Sequence, residues 1–301
     1  MARTLAFAAT LGLAAGATVS KAGLADSLIV NGVEREYLIT IPPAASLPAP
    51  AVVLLHGGGG SARQLHDHIG FDALAAAQGV VAIYPDAASL QWADGRISAN
   101  ANDQRAAQAD DVGFLLALVD MLTKSGVIDP TRVGVAGISN GGMMTLRLAC
   151  EAPRRFAVYA VVAANVPRGL ECPGGVPVPI LFIHGTQDPL IPYAGGDIAP
   201  QLGGSHGTAL PVPDTMAIWA ARNGCAAGPT TLAVIDRLPN DGTAAQFSEY
   251  TGCRAALGHI LIEGMGHSWP GTRDGFLGGP TSYEIDGNRA IWDFMAAQFP
   301  R

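Results

Sequence analysis

Short apolar runs bounded by glycine or proline recur along the chain, and this is the pattern of strands buried on both faces of a sheet. Stretches with the helical spacing of apolar residues lie between them. Strands that alternate with helices in this way predict an α/β fold with a mostly parallel, doubly wound sheet in a single domain. The predicted strands span 51–55, 80–84, 132–136, 158–163, 178–183 and 259–263, and the predicted helices span 71–78, 110–122, 141–150 and 289–298.

Turn residues predict the less regular parts of the fold. Asn31-Gly32 interrupts an alternating stretch, 27–41, and this dipeptide favours a two-residue hairpin turn. A second hairpin is predicted over 231–250, centred on Asn240-Asp241-Gly242. The glycine- and proline-rich stretch 195–213 is typical of a surface loop, and we expect it near the functional edge of the sheet.

The first two dozen residues differ from the rest of the chain. Arg3 precedes a small, apolar, alanine-rich stretch over 5–18, and Ser20 and Ala22 form a small-x-small cleavage pattern. The apolar stretch is too short to cross a bilayer. Residues 1–22 are therefore predicted to be a signal peptide and residues 23–301 the mature domain of a secreted or periplasmic protein.

Four cysteines follow the predicted signal peptide. An even number in an exported chain favours two disulfides, and four cysteines permit three connectivities. Order along the chain favours the two pairings that close local loops, Cys150–Cys172 and Cys225–Cys253.

The composition argues against several classes of function. The 301 residues carry a formal charge of −7 and no basic run, whereas nucleic-acid binding needs clustered Lys and Arg. We therefore expect no nucleic-acid partner, and no other apolar stretch predicts a membrane span. His66-x-His68 has no third ligand at a suitable spacing, so we expect no metal site, and no organic cofactor is expected either.

The sharpest chemical signal is Gly137-Ile138-Ser139-Asn140-Gly141, which stands between a predicted strand and a predicted helix. A serine hydroxyl is a poor nucleophile unless it is exposed and placed next to a base. A tight turn from strand to helix exposes the hydroxyl, and the flanking glycines permit the crowded turn. This context predicts Ser139 as a nucleophile rather than a residue that merely caps the helix.

Acyl transfer at a serine also requires N–H donors for the negatively charged oxygen of the intermediate. The backbone N–H of Asn140, the residue after the nucleophile, is one predicted donor. The second is expected in His56-Gly57-Gly58-Gly59-Gly60-Ser61, which follows a predicted strand. Gly58 is the first candidate in this loop, and Gly59 is the second.

Chain order predicts the acid and the base, because this architecture places them after the serine in the order acid, then histidine. Asp188 lies in the turn after the predicted strand 178–183, whereas Asp197 and Asp214 do not stand at a strand end. His267 follows the strand 259–263 through Gly264-Met265-Gly266. We therefore predict a catalytic triad of Ser139, Asp188 and His267.

Several motifs together resemble those of the polyhydroxybutyrate depolymerase and feruloyl esterase group of α/β hydrolases, within carbohydrate esterase family 1. They are His56-Gly57-Gly58-Gly59-Gly60, Gly137 to Met143, His184-Gly185-Thr186-Gln187-Asp188 with Pro192-Tyr193, Trp219 before Asn223-Gly224-Cys225, Tyr250-Thr251-Gly252-Cys253, and Gly266-His267-Ser268-Trp269-Pro270-Gly271. The resemblance implies the same triad, a Cys225–Cys253 disulfide and a substrate-side role for Trp269. The alternative role of Trp269 is a core aromatic that fixes the His267 loop.

The expected function is hydrolysis of a small or oligomeric carboxylic ester through an acyl-enzyme. Feruloyl or acetyl esters of plant polysaccharide and short hydroxyalkanoate oligomers or polyesters are both open as substrates. Trp92 and His56 are further candidates for substrate contact. Polymer-degrading relatives carry a linker and a polymer-binding module, for which this chain has no room, so soluble esters are favoured over crystalline polyester. A catalytically inactive binding protein and a serine peptidase are the alternatives.

Overall fold

The computed structural model describes residues 21–172, 175–273 and 278–300. The predicted signal peptide lies outside these residues except for its last two positions. Among the residues described, no helix is long and apolar enough to span a membrane.

One sheet of ten strands organises the structure. Its strands are β1 (Lys21–Val30), β2 (Val33–Ile41), β3 (Ala49–Leu55), β4 (Val81–Pro85), β5 (Ile128–Ile138), β6 (Val158–Val162), β7 (Ile180–Gly185), β10 (Ala227–Ile235), β11 (Ala244–Thr251) and β12 (Leu257–Glu263). Two further strands, β8 (Gly196–Asp197) and β9 (Thr208–Ala209), pair with each other outside this sheet. The order in the large sheet is β1-β2-β4-β3-β5-β6-β7-β12-β11-β10.

The six central strands, from β4 to β12 in this order, are parallel to one another. Antiparallel hairpins extend the sheet at both edges. Since the carboxyl ends of parallel strands meet at one edge, the loops after β3, β5, β7 and β12 lie together. These are the loops that carry the glycine run, the predicted nucleophile, the predicted acid and the predicted base.

Helices cover both faces of the sheet. They are α1 (Ala62–Ile69), α2 (Phe71–Gln78), α3 (Ala101–Ala106), α4 (Asp111–Lys124), α5 (Asn140–Glu151), α6 (Val212–Asn223) and α7 (Gly287–Gln298). Buried residues of α4, α5 and α6 pack on one face. Buried residues of α1, α2 and α7 pack on the other face. The prediction of a mostly parallel, doubly wound sheet in one domain is confirmed.

All six predicted central strands and all four predicted helices are present, with ends displaced by up to four residues. The first hairpin turns at Asn31 and Gly32, whose φ angles of 50° and 81° suit a two-residue turn. Stretch 195–213 is largely a loop as expected, but it also contains the short strands β8 and β9, a 3-10 turn at Pro200–Leu202 and the start of α6 at Val212. Helices α1, α3 and α6 were not predicted.

The structure contains two disulfides, and they are the pairs that chain order favours. Cys150, at the end of α5, is joined to Cys172. Cys225, just after α6, is joined to Cys253, just after β11. The first bond links a helix to a loop, the second links two loops, and the paired cysteines are 22 and 28 positions apart along the chain.

Candidate active site

Ser139 lies at the abrupt turn between β5 and α5. Its φ of 59° and ψ of −125° are strained values for a residue with a side chain. Its N–H donates to the carbonyl oxygen of Val162 on β6, at 2.9 Å, and its carbonyl accepts from Met143 in the first turn of α5, at 2.9 Å. Bonds on both sides of Ser139 therefore hold the strained backbone in place.

The two glycines of the Ser139 motif are required by close backbone contacts. A Cβ atom at Gly137 would overlap the carbonyl group of Gly141. A Cβ atom at Gly141 would overlap the carbonyl oxygens of Leu55 and His56 at the end of β3. The turn is therefore as tight as the sequence predicted, and it brings the glycine run after β3 against Ser139.

Two backbone N–H groups beside Ser139 are free to bind an anionic oxygen. The N–H of Asn140 belongs to the first residue of α5, where a helix provides no internal acceptor. The N–H of Gly58 makes no hydrogen bond with any described residue, and a Cβ atom at Gly58 would lie 3.5 Å from Cβ of Asn140. These are the two N–H groups that the sequence analysis put first, and their role as oxyanion donors stays a prediction.

Gly59 differs from the expectation. Its N–H donates to the carbonyl oxygen of Leu90, at 2.7 Å, and it does not line the cavity beside Ser139. The bond to Leu90 fixes the glycine loop but leaves Gly59 without a free donor. Gly58 is therefore retained as a candidate donor, and Gly59 is not.

The side chain of Asn140 holds a neighbouring segment in place. Its oxygen accepts from the N–H of Trp92, at 2.7 Å, and its amide nitrogen donates to the carbonyl of Trp92, at 3.0 Å, and to Asp94 Oδ2, at 2.6 Å. Burial raises the pKa of Asp94 against the opposing effect of nearby Arg96. Because these bonds occupy the amide group of Asn140, only its backbone N–H remains for a ligand.

Asp188 and His267 form a buried hydrogen-bonded pair. His267 Nδ1 lies 2.8 Å from Asp188 Oδ2, while Asp188 Oδ1 accepts from the N–H groups of Leu190 and Ile191, both at 2.8 Å. A carboxylate with these partners is acceptor only, so the ring proton of His267 belongs on Nδ1. Nε2 of His267 is then left with a lone pair, as a general base requires.

The loops that carry Asp188 and His267 are bonded to each other. The N–H of Gln187 donates to the carbonyl of Met265, at 2.9 Å, and Thr186 Oγ1 accepts from the N–H of Gly264, at 3.0 Å. A Cβ atom at Gly185 would overlap the carbonyl of Met265. This close crossing sets the distance between Asp188 and His267.

Ser139 and His267 line one cavity of about 520 Å³ at the carboxyl edge of the sheet. No hydrogen bond joins their side chains in the described structure. In unliganded sites such bonds are often long and tighten only around a substrate, so their common cavity is the relevant observation. One wall is aliphatic and includes Leu190, Ile191 and Leu202.

The three side chains predicted to contact substrate are buried. Trp92 does not line the cavity, and its Nε1 donates to the carbonyl of His56, at 2.9 Å, so its expected stacking role is not supported. His56 borders the cavity, but Nε2 accepts from the N–H of Ala87, at 3.1 Å, and Nδ1 lies 2.8 Å from the carbonyl oxygen of Gly57. Burial lowers the pKa of His56. Both ring nitrogens are therefore occupied, Nδ1 by the glycine loop and Nε2 by the loop after β4.

Trp269 borders the cavity wall, yet its side chain has no exposed area. Its Nε1 donates to Asn288 Oδ1, at 3.0 Å. A fully covered ring cannot stack on a substrate in this conformation. The structure thus favours the alternative given above, in which Trp269 fixes the His267 loop.

A second histidine, His184, lies beside Asp188 and was not predicted to have a role. Its ring is fully buried, Nδ1 lies 3.0 Å from the carbonyl of Gly185, and Nε2 lies 3.9 Å from Asp188 Oδ2 with no partner in the described structure. Burial lowers the pKa of His184 against the opposing effect of Asp188. A neutral ring with its proton on Nδ1 follows. The motif His184-Gly185-Thr186-Gln187-Asp188 was the signal for this residue.

Proteins similar in sequence to this chain include esterases. "Putative esterase NocK" of Nocardia uniformis subsp. tsuyamanensis is 34% identical over 257 residues, which are 82% of this chain and 74% of that protein. The chain belongs to the α/β-hydrolase esterase group. Feruloyl esterase C of Emericella nidulans is 27% identical to this esterase over 280 residues, covering 89% of the chain and 85% of that protein.

Three further matches agree with the α/β-hydrolase fold. Residues 73–168 of the esterase match the prolyl oligopeptidase family, and this stretch contains Ser139. An acetyl xylan esterase from Aspergillus awamori superposes with a TM-score of 0.56 at 18% identity, over 90% of this chain and 99% of that one. An S-formylglutathione hydrolase from Agrobacterium tumefaciens gives 0.54 at 13% identity, over 94% and 98%. At these identities the two structures show the α/β-hydrolase fold alone.

Proposed function

We propose that this chain is an exported serine esterase that cleaves carboxylic esters through a triad of Ser139, Asp188 and His267. The observation that carries the proposal is the 2.8 Å bond from His267 Nδ1 to Asp188, which leaves the other ring nitrogen free in the cavity that Ser139 lines. The strained backbone of Ser139 and the free N–H groups of Asn140 and Gly58 support it.

In the first step, His267 Nε2 takes the hydroxyl proton of Ser139 as Oγ attacks the ester carbonyl. The negative charge that develops on the carbonyl oxygen is stabilised by the N–H groups of Asn140 and Gly58. Asp188 keeps the imidazole in the required tautomer and stabilises its positive charge. His267 then protonates the departing alcohol, and the acyl group stays on Ser139.

In the second step, His267 takes a proton from water, which attacks the acyl-enzyme. The same two N–H groups stabilise the second tetrahedral intermediate. Collapse releases the carboxylic acid and returns the proton to Ser139. The scheme uses only side chains and backbone groups of this chain.

The proposed substrates are feruloyl or acetyl esters of plant polysaccharide. The named activity of relatives such as feruloyl esterase C supports this choice. A cavity of about 520 Å³ is within the size range of small-molecule sites. Oligomers of short hydroxyalkanoates are the second candidate, because Leu190, Ile191 and Leu202 form an aliphatic wall against which an alkyl chain packs as well as an aromatic ring does.

Hydrolysis of methyl ferulate and of a 3-hydroxybutyrate trimer, measured side by side, tests the function and the substrate choice. Ser139→Ala should abolish turnover and labelling by a fluorophosphonate probe, while thermal unfolding stays within a few degrees of wild type. Ser125→Ala, which changes a serine at the end of α4 away from the cavity, is the matched control. Turnover retained by folded Ser139→Ala would refute the nucleophile.

Two rival functions predict different outcomes in this assay. An inactive binding protein would neither hydrolyse the two esters nor react with the fluorophosphonate. A serine peptidase would react with the probe but would cleave a peptide anilide faster than the ester of the same acyl group. We expect labelling at Ser139 together with a strong preference for the ester.

Export is part of the proposal. Two disulfides are typical of proteins that fold in an oxidising compartment, and the predicted cleavage after Ala22 would give a mature chain that begins at Gly23. The N-terminal sequence of the protein recovered from culture medium or periplasm tests this. Cytoplasmic protein that retains residues 1–22 would contradict it.

A further inference from the structure

A second histidine–aspartate pair lines the same cavity. His206 Nδ1 lies 3.1 Å from Asp103 Oδ2, and the other carboxylate oxygen, Oδ1, accepts from Arg96 Nη2, at 3.2 Å. Asp103 is almost fully buried on α3 and also accepts from Ser98 Oγ, at 2.6 Å. A single carboxylate therefore holds a histidine and an arginine next to each other, and both of them border the cavity.

Backbone bonds fix the loop that carries His206. The carbonyl of Ser205 accepts from the N–H of Asn100, at 3.0 Å, and lies 2.9 Å from Ser98 Oγ. A Cβ atom at Gly207 would overlap the carbonyl oxygen of Ile97. The residues on both sides of His206 are thus anchored to the segment that carries Arg96 and Asp103.

Each of the two side chains keeps one polar atom free. Nη1 of Arg96 and Nε2 of His206 make no hydrogen bond with any residue in the described ranges, and neither atom is sealed from solvent. In the tautomer that carries its proton on Nδ1 and donates it to Asp103, Nε2 of His206 is an acceptor. The cavity therefore presents one donor, from Arg96, and one acceptor, from His206.

The charge around this pair disfavours an anion. Arg96 Nε lies 3.5 Å from Asp94 Oδ2, so the arginine is shared between the carboxylates of Asp94 and Asp103. The group has no net positive charge to attract a carboxylate or phosphate. A neutral group that both donates and accepts a hydrogen bond is the chemical complement, and a hydroxyl is the smallest such group.

This pair lies close to the proposed reaction centre. Arg96 Nη2 donates to Gln91 Oε1, at 2.8 Å, and a Cβ atom at Gly58 would lie 3.3 Å from that same oxygen. One side chain therefore separates the arginine from the loop that offers an N–H to the ester carbonyl. Arg96, His206 and Ser139 all line the same cavity, so an acyl group bound at Ser139 shares that cavity with the pair.

We propose that Arg96 and His206 form a specificity subsite that binds a hydroxyl group on the acyl part of the substrate. The subsite rests on the esterase function proposed above and deepens it. The hydroxyl donates to His206 Nε2 and accepts from Arg96 Nη1. A phenolic hydroxyl and an aliphatic hydroxyl share this chemistry, and they are distinguished by experiment.

Two pairs of esters that differ by one hydroxyl test the subsite. Methyl 4-hydroxycinnamate is compared with methyl cinnamate, and methyl 3-hydroxybutyrate with methyl butyrate. We expect kcat/KM to favour the hydroxylated ester by about 10-fold or more in one pair, since its hydroxyl would make two hydrogen bonds in a partly enclosed site. The pair that shows the preference identifies the source of the hydroxyl.

Two substitutions at one position separate recognition from structure. In His206→Asn the amide nitrogen takes the place of Nδ1 and keeps the bond to Asp103, but no group replaces Nε2, so the preference should disappear. In His206→Gln the amide group reaches the place of Nε2 and should restore part of the preference. A merely structural role would lower kcat/KM for both esters of a pair together and leave their ratio as in wild type.

Each outcome of these assays either supports or overturns the subsite. Esters hydrolysed without any hydroxyl preference, or with a preference that survives in His206→Asn, would overturn the subsite and leave the proposed esterase intact. Failure to hydrolyse any of the four esters would overturn the esterase function and the subsite together. A preference abolished in His206→Asn supports both.

Discussion

Replacing Asp188 by asparagine is the most direct test of the proposed triad. Both N–H groups that reach Asp188, from Leu190 and Ile191, donate to Oδ1, so the amide oxygen must take that place. The amide nitrogen then takes the place of Oδ2, 2.8 Å from Nδ1 of His267. Two donors would face each other, and His267 must move its proton to Nε2. In that tautomer it cannot accept the proton of Ser139.

The expected loss follows from the wrong tautomer rather than from unfolding. We expect kcat to fall by about 10⁴, equivalent to about 5 kcal/mol of activation free energy. The free energy of unfolding should change by less than about 2 kcal/mol, because both backbone bonds to Oδ1 persist and the new amide has an acceptor nearby in His184 Nε2. That nitrogen is 3.9 Å from Oδ2 of Asp188 in the wild type.

Hydrolysis of p-nitrophenyl acetate gives kcat, and urea unfolding followed by tryptophan fluorescence gives the stability. Asp197→Asn is the matched control, since Asp197 is exposed on β8 and does not line the cavity. It should keep activity within about twofold of wild type, as surface substitutions generally do. An Asp188→Asn protein that is folded and keeps more than about a tenth of the wild-type kcat would refute the assignment of Asp188 as the acid.

Two further predictions concern buried ionisable groups away from Ser139. Arg35→Met should lower the free energy of unfolding, measured in urea, by about 3 kcal/mol, because it leaves Asp111, 2.6 Å away, buried without its cation. Adding Asp111→Asn should recover more than half of this loss. No recovery in the double variant would show that the loss is not electrostatic. Burial lowers the pKa of His259 to about 4, with His184 adding to the effect. The unfolded chain therefore binds a proton at this ring below about pH 6.5 while the folded chain does not, so stability should fall as the pH drops from 6.5 to 4, by at most about 3 kcal/mol. His259→Gln should flatten that slope in urea titrations at several pH values, and an unchanged slope would contradict the assignment.

The elements that could be predicted are those whose burial is visible in the sequence as a run or a regular spacing of apolar residues. Strands such as β6 and β7 are buried on both faces, and their runs of apolar residues are visible in the sequence. Helix α1 was missed because only three of its eight residues are buried and most of the others are polar. Helix α6 was missed because Pro213 and the preceding glycines indicated a loop, although proline suits the first turn of a helix.

In the candidate site, too, only some features could be predicted from the sequence. The order Ser139, Asp188, His267 could be predicted because each residue follows a strand in the parallel sheet, and strand ends are visible in the sequence. The sequence ranked Gly58 before Gly59 but could not decide between them, because the decision depends on which N–H the distant carbonyl of Leu90 accepts. The same is true of Trp92, whose pattern does not reveal that it lies beneath the glycine loop.

The Arg96–His206 pair could not be predicted from the sequence at all. His206 lies 103 positions from Asp103 along the chain, within a stretch that the sequence identifies only as a glycine-rich loop. No spacing rule connects two residues so far apart. Only the fold, which packs the loop before α6 against α3, places His206 and Arg96 beside the cavity.

Segment 91–96 links the proposed oxyanion donors to the proposed subsite. At one end Trp92 is bonded through its backbone to the side chain of Asn140, and at the other end Arg96 is bonded to Asp103. Between them the N–H of Ala93 donates to Asp111 Oδ2, at 2.7 Å, and Asp111 is held in turn by Arg35. A change in the Arg35–Asp111 pair should therefore alter the positions of both ends of the segment. Loss of rate on both esters of a pair and loss of hydroxyl preference should then appear together in Arg35→Met, whereas in His206→Asn the loss of rate should fall chiefly on the ester that carries the hydroxyl.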